Sequence, residues 1–222
     1  MLSPLMVFAV FAAMLWRGSI ADFSVVPLRG GVALAIFGSF MSLLTILPLA
    51  MNQFAIDGAG LTLEFLSPLD EGHLLRGKAI GNAVIAAIPV VICIAVAAAL
   101  FPGGSLAAWL SIPIGIAAAY VLIAPVAAAL SALFPRPVDL NSIGRGSNAH
   151  GAATLLGLLA CIVAGAASFV VALVITRLVT PPYLVVLLML VWLATCTTTA
   201  ALLFVPIRSL VARRRENLAL IR

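Results

Sequence analysis

Three stretches of this chain contain no Asp, Glu, Lys or Arg: Ala79 through Pro135, Gly146 through Thr176, and Leu178 through Ile207. A helix needs about 20 apolar residues to cross the hydrocarbon of a bilayer. The first stretch is long enough for two crossings with a turn between them, and each of the others holds one. Charged residues make up 9% of the 222 residues and hydrophobic ones 64%, whereas a soluble domain is about a quarter charged. No water-soluble fold of this size has enough interior to hide so much apolar surface. The chain therefore reads as an integral membrane protein. Helices are the expected spanning element, because hydrocarbon offers backbone groups no partners. The alternating segments of a membrane barrel are absent. The fold class is an all-α polytopic membrane helical bundle.

About six spans are expected, over residues 2–16, 31–51, 79–101, 106–134, 152–175 and 183–207. The first is short for a crossing. It is not a signal peptide, because no Lys or Arg precedes Arg17 to form a basic leader. It reads as a span that has lost its beginning, which makes the chain the C-terminal part of something longer. Residues 1–207 form the transmembrane domain and 208–222 a basic tail.

Basic residues collect on the cytoplasmic side of membranes. The tail carries Arg208, Arg213, Arg214, Arg215 and Arg222, so it is placed inside. Six spans then put both termini in the cytoplasm, together with the block from Asn52 to Lys78 and the loop from Pro135 to Gly151. On this topology nine of the 12 Lys and Arg residues lie inside, and Arg17, Arg29 and Arg177 lie outside. The net charge of +5 thus reflects topology and contact with anionic lipid, with no nucleic-acid partner.

The block from Asn52 to Lys78 is the cytoplasmic elbow between spans 2 and 3. It mixes both signs of charge more densely than any other part of the chain. Asp57-Gly58-Ala59-Gly60 is a turn signal. Leu61 to Leu66, with Glu64 as its single charge, is a short amphipathic piece suited to the interface. Ser67 can then cap a helix that has Pro68 in its first position and Asp70 and Glu71 near its positive end. Arg76 and Lys78 mark the membrane surface where that helix enters the third span. The block is either an ordinary connector or a rigid elbow that docks a partner through Asp57, Gly58, Gly60, Glu64, Ser67, Pro68, Asp70, Glu71, Arg76 and Lys78.

The residues that would support chemistry are few. His73 and His150 both fall in predicted loops, and neither has another His nearby, so no metal site is expected. Cys93, Cys161 and Cys196 lie apart inside apolar runs and read as packing residues. Ser147 and His150 superficially offer a serine-protease pair, but they share one short loop beside Arg145. The single lysine, in Gly77-Lys78-Ala79, does not belong to a phosphate-binding loop. No predicted span buries an ionisable residue of the kind that couples a carrier to protons. Ser39, Ser42 and Thr45 in the second span, and Thr195, Thr197, Thr198 and Thr199 in the sixth, serve packing or line a substrate path. Pro48, Pro89, Pro113, Pro125 and Pro206 lie in or near span ends, where they kink helices.

Taken together, Asn52…Phe54…Asp57-Gly58-Ala59-Gly60-Leu61, then Leu66-Ser67-Pro68, then Leu74-Leu75-Arg76-Gly77-Lys78 resemble permease subunits of ABC-type exporters of the type-2 class. Phe134-Pro135-Arg136-Pro137-Val138-Asp139 is similar to a loop of the same proteins. The resemblance implies a membrane-spanning subunit that works with a separate ABC-type ATPase, usually as two permease halves with two ATPases. It implies that the elbow meets the ATPase, that ATP is hydrolysed on that partner, and that this chain holds no cofactor and is not an enzyme. The location implied is the plasma membrane of a bacterium or archaeon. Many such permeases are about twice as long and carry the elbow in their second half, so this chain resembles the C-terminal half of one. A non-transporting scaffold or assembly subunit is the alternative function. A membrane enzyme relying on His150 is a third reading.

Overall fold

A computed structural model describes residues 6, 8–10, 12–13, 30–56, 60, 63, 70–136 and 150–219, with side chains through residue 215. Six helices are defined: α1 (Gly31–Ala50), α2 (Gln53–Ile56), α3 (Glu71–Leu100), α4 (Leu106–Leu133), α5 (Gly151–Leu178) and α6 (Pro182–Ala219). All except the four-residue α2 are long and apolar enough to cross a membrane. No strand occurs among the described residues. The expected first span, residues 2–16, lies mostly outside the described residues. Phe8 and Ala12 from it are nevertheless buried against α1 and α3, in a cluster with Leu34, Ala35, Cys93 and Ala97.

The helices alternate in direction across the bundle, and α4 is its centre. It packs on α1, α5 and α6, while α3 leans chiefly on α1. Composition explains the choice of centre. The inner face of α4 is built from Ala118, Ala119, Ala124, Ala127, Ala128 and Ala132, and small side chains let helices approach closely in a membrane, where dispersion replaces the hydrophobic drive. Half of the apolar windows of α1 and α4 is buried, against about a fifth for α3, α5 and α6. The outer helices present faces such as Ile80, Val84, Ile88 and Val91 on α3, all exposed. Water would not tolerate a patch of that extent, but lipid does.

Local signals place the helix ends. Ser105 caps α4, its hydroxyl accepting from the Ala108 N–H at 3.2 Å. The turn before it needs Gly104 at φ 87, a backbone region costly for other residues. Trp109 closes this end by donating from its indole to the Gly103 carbonyl at 2.7 Å. Here α1 and α3 touch backbone to backbone. A methyl group on Gly31 would collide with the Phe101 carbonyl and lie 2.9 Å from that of Ala97, so only glycine permits the approach.

Two helices run further than the charge-free stretches suggest. α3 begins at Glu71, eight residues before the first uncharged run, and α6 continues through Pro206 and the arginines to Ala219. The residues 208–219 of the basic tail are therefore a helical extension of the last span. A helix leaving the hydrocarbon has no reason to stop when charges replace apolar residues, since its backbone bonds are internal.

Candidate functional site

The C-terminal ends of α1 and α4, the N-terminal ends of α3 and α5, and the last third of α6 meet at one end of the bundle. Asp70, Glu71, Arg76, Lys78, Arg136, Arg208, Arg213, Arg214 and Arg215 all belong to it. Arg177, in the last turn of α5, is the one charged side chain at the opposite end among the described residues.

Two layers of polar contact build this end. The inner layer holds the elbow to the central helix. Asn52, fully buried, donates from Nδ2 to the Arg136 carbonyl at 2.9 Å and accepts the Arg136 N–H on Oδ1 at 3.0 Å. The amide thus acts as a backbone-like fork that pins the chain leaving α1 to the chain leaving α4. Two residues on, the Phe54 N–H donates to the Ser131 hydroxyl at 3.0 Å. Gln53 accepts from Asn82 of α3 at 3.0 Å, and Tyr120 of α4 donates to the Ala79 carbonyl. The Phe54 ring is buried with Leu75, Ala128, Ala132, Ile207 and Val211, and the Lys78 ammonium stands over it at 5.7 Å from the ring centre, within cation–π range.

The outer layer ties α3 to α6. Arg208 gives both Asp70 carboxylate oxygens a hydrogen bond from Nη2, each at 2.8 Å, and Arg215 approaches Glu71 at 3.5 Å. Arg214 donates to the Ala132 and Leu133 carbonyls at 3.3 and 3.2 Å. These are among the last carbonyls of α4, which lack helical partners. Asp70 is also the N-cap of α3, accepting from the Gly72 N–H at 3.1 Å. Desolvation pushes its carboxyl up. The bonds from Arg208 and Gly72 and the charges of Arg208 and His73 outweigh this and hold it below its ordinary value of 3.8. Across the end, His150 caps α5 through Nδ1 on the Ala152 N–H at 3.3 Å and stacks on Phe134, ring centres 5.6 Å apart.

Of the ten elbow residues singled out for docking, Asp57, Gly58, Glu64, Ser67 and Pro68 lie outside the described residues. The other five come to this end. Gly60 is exposed with open space around it. Asp70 and Glu71 are engaged by arginines of α6. Arg76 is exposed, and Lys78 is turned toward Phe54. The cap of α3 is Asp70, three residues later than the Ser67 expected from the sequence. A carboxylate that both accepts the Gly72 N–H and pairs with Arg208 suits that position better than a lone hydroxyl.

Sequence reasoning singled out Asn52 only as part of the resemblance and gave Gln53, Asn82, Tyr120 and Ser131 no role, so the inner layer they form was missed. Their signal was two adjacent amides directly after an apolar span, which demand partners once buried.

The four threonines of α6 are exposed on the helix surface and bond back to carbonyls one turn earlier. Ser147 lies outside the described residues. Among the described residues no group of His, Cys, Asp and Glu is placed to hold a metal. No protein-family model, curated protein or solved structure matches the chain.

Proposed function

We propose that this chain is a membrane-spanning permease subunit of an ATP-driven ABC exporter, with ATP hydrolysed on a separate ATPase polypeptide. One observation carries the reading. The two segments on which the family resemblance rests, Asn52–Lys78 and Phe134–Asp139, are joined by the Asn52–Arg136 fork, although 84 residues separate its partners. Phe54 and Lys78, at either end of the first segment, also meet. Of the residues quoted for the resemblance, Asn52, Phe54, Leu75, Lys78 and Arg136 hold the two ends of the elbow to the core of the bundle. A locked elbow can receive force at its exposed surface and pass it to α3 and α4, whereas a loose connector would absorb it.

On this reading the polar end faces the cytoplasm of a bacterium or archaeon, as its arginines favour. The cavity enclosed among α1, α3 and α4, about 10 Å³, is far below the roughly 300 Å³ of a small-molecule site. The reading assigns the solute path to the seam between this chain and a second permease copy or half. Affinity purification in mild detergent tests the reading. A near-equimolar ATPase with a phosphate-binding loop is the expected companion. Recovery of the chain without an ATPase would favour a scaffold subunit instead.

A further inference from the structure

The outer layer leaves an open notch between α3 and α6, about 70 Å³ in volume. Its walls come from one face of each helix: Gly72, Leu75 and Arg76 on α3, with Phe204, Val205 and Arg208 on α6. The spacing i, i+3, i+4, present on α3 and again on α6 from Ala201 to Phe204 and Val205, makes the notch a groove across two ridges. It lies at the level where α3 and α6 pass from apolar to charged sequence, which is the headgroup level of a bilayer. Gly72 matters here, because a side chain would meet Arg208 at 3.1 Å and displace the guanidinium.

The polar content of the notch is specific. Asp70 occupies Nη2 of Arg208. The remaining donors of that guanidinium, on Nε and Nη1, make no hydrogen bond among the described residues. Arg76 is exposed and has no acidic partner among the described residues. Two arginines against one carboxylate leave one positive charge in excess. Below them the surface is hydrocarbon-like: Val205 and Leu202 on α6 and Ile80 and Val84 on α3 are all exposed. Charge above and an apolar slot beneath match a molecule with one negative phosphodiester and a long chain.

We propose that this notch binds an anionic phospholipid, its phosphate held between Arg76 and Arg208 and one acyl chain lying along the exposed faces of α3 and α6. Basic pockets between membrane helices hold lipid headgroups in this manner, and guanidinium groups suit the phosphate because they present several donors in a fixed fork. A headgroup with no positive charge is preferred, because an ammonium would sit beside two arginines. The bound lipid bridges the same two helices as the Asp70–Arg208 pair, so it braces the elbow from the membrane side. The site requires neither an ATPase nor transport.

Native mass spectrometry of the full chain in neutral detergent tests the site. Phosphatidylglycerol and phosphatidylcholine of identical acyl chains are the probes, with inorganic phosphate and glycerol 3-phosphate as soluble competitors. The wild type retains one phosphatidylglycerol in preference to phosphatidylcholine. Arg76→Gln weakens retention about fivefold, the effect of one basic residue at a lipid surface, and Arg76→Lys restores most of it. Arg213→Gln removes the same charge from α6 outside the notch and leaves retention unchanged. Val205→Trp, which fills the slot without touching a charge, also weakens retention. Equal retention of the two lipids, an equal loss in Arg213→Gln, or displacement by millimolar inorganic phosphate overturns the proposal. The last result would make the notch a simple anion site.

Discussion

Replacing Asn52 puts the inner polar layer to a quantitative test. The side chain is fully buried and makes two hydrogen bonds to the backbone of Arg136, at 2.9 and 3.0 Å. Each such bond contributes about 1 kcal/mol net. Asn52→Ala also leaves a small void, but Arg136 is exposed, so water can reach its freed N–H and carbonyl and limit the further penalty. The expected loss is about 2–3 kcal/mol. Asn52→Asp has a different fault. It keeps the acceptor for the Arg136 N–H but sets a carboxylate oxygen, itself an acceptor, where Nδ2 now donates to the Arg136 carbonyl at 2.9 Å. It should therefore be worse than alanine although it is closer in shape.

The protein carries its own reporter for this experiment, since Cys93, Cys161 and Cys196 are free and buried. A thiol-reactive fluorogenic dye labels them only when the bundle opens. At about 2–4 °C per kcal/mol for a chain of this length, Asn52→Ala should lower the midpoint by about 4–12 °C, and Asn52→Asp by more. A shift within a degree of wild type for Asn52→Ala, or an aspartate variant more stable than the alanine one, would refute the fork as a structural tie.

Other outcomes follow from the same geometry. Gly31→Ala forces α1 and α3 apart at their backbones and should cost about 1–3 kcal/mol, while Gly81→Ala, with nothing within 4 Å of the new methyl, should stabilise α3 by about 0.5–1 kcal/mol; the same dye assay reads both. Asp70 is depressed in the folded state, so its contribution is present above pH 3.8 and is lost as pH falls through the lower folded value. The midpoint difference between wild type and Asp70→Asn should accordingly be flat from pH 8 to pH 5 and shrink only under stronger acid, and a change centred near neutrality would contradict the assignment to Asp70. Exchanging the pair as Asp70→Arg with Arg208→Asp should recover stability that either single change loses, because their contact is direct; no recovery would mean that capping of α3, and not the ion pair, is the role of Asp70.

The sequence discloses the spans well, for a physical reason. Hydrocarbon excludes charge, so uninterrupted apolar runs mark α1, α4 and α5 to within a few residues of their ends. The start of α3 is legible too, to within three residues, because a capping side chain followed by acidic residues marks a helix that runs on through Arg76 and Lys78. The end of α6 is not: outside the hydrocarbon a helix is free to continue through the arginines from Arg208 onward, and charges that define a tail by composition then sit on a helix. At the candidate site, the elbow is visible as a dense block of both charge signs. Its internal wiring is not. Asp70 with Arg208, Glu71 with Arg215 and Asn52 with Arg136 are pairings between residues far apart in the chain, fixed by how α3, α4 and α6 pack rather than by local spacing.

The central claim is that an ATPase docks on the polar end of this bundle. Photo-cross-linking in native membranes tests it most directly, with a photoreactive residue placed singly at Gly60 and His73, both exposed at the polar end, and at Leu106 and Leu178, exposed at the opposite end. The account predicts adducts to an ABC-type ATPase from positions 60 and 73 and none from 106 or 178. ATPase adducts from the opposite end, or none from either, would contradict it.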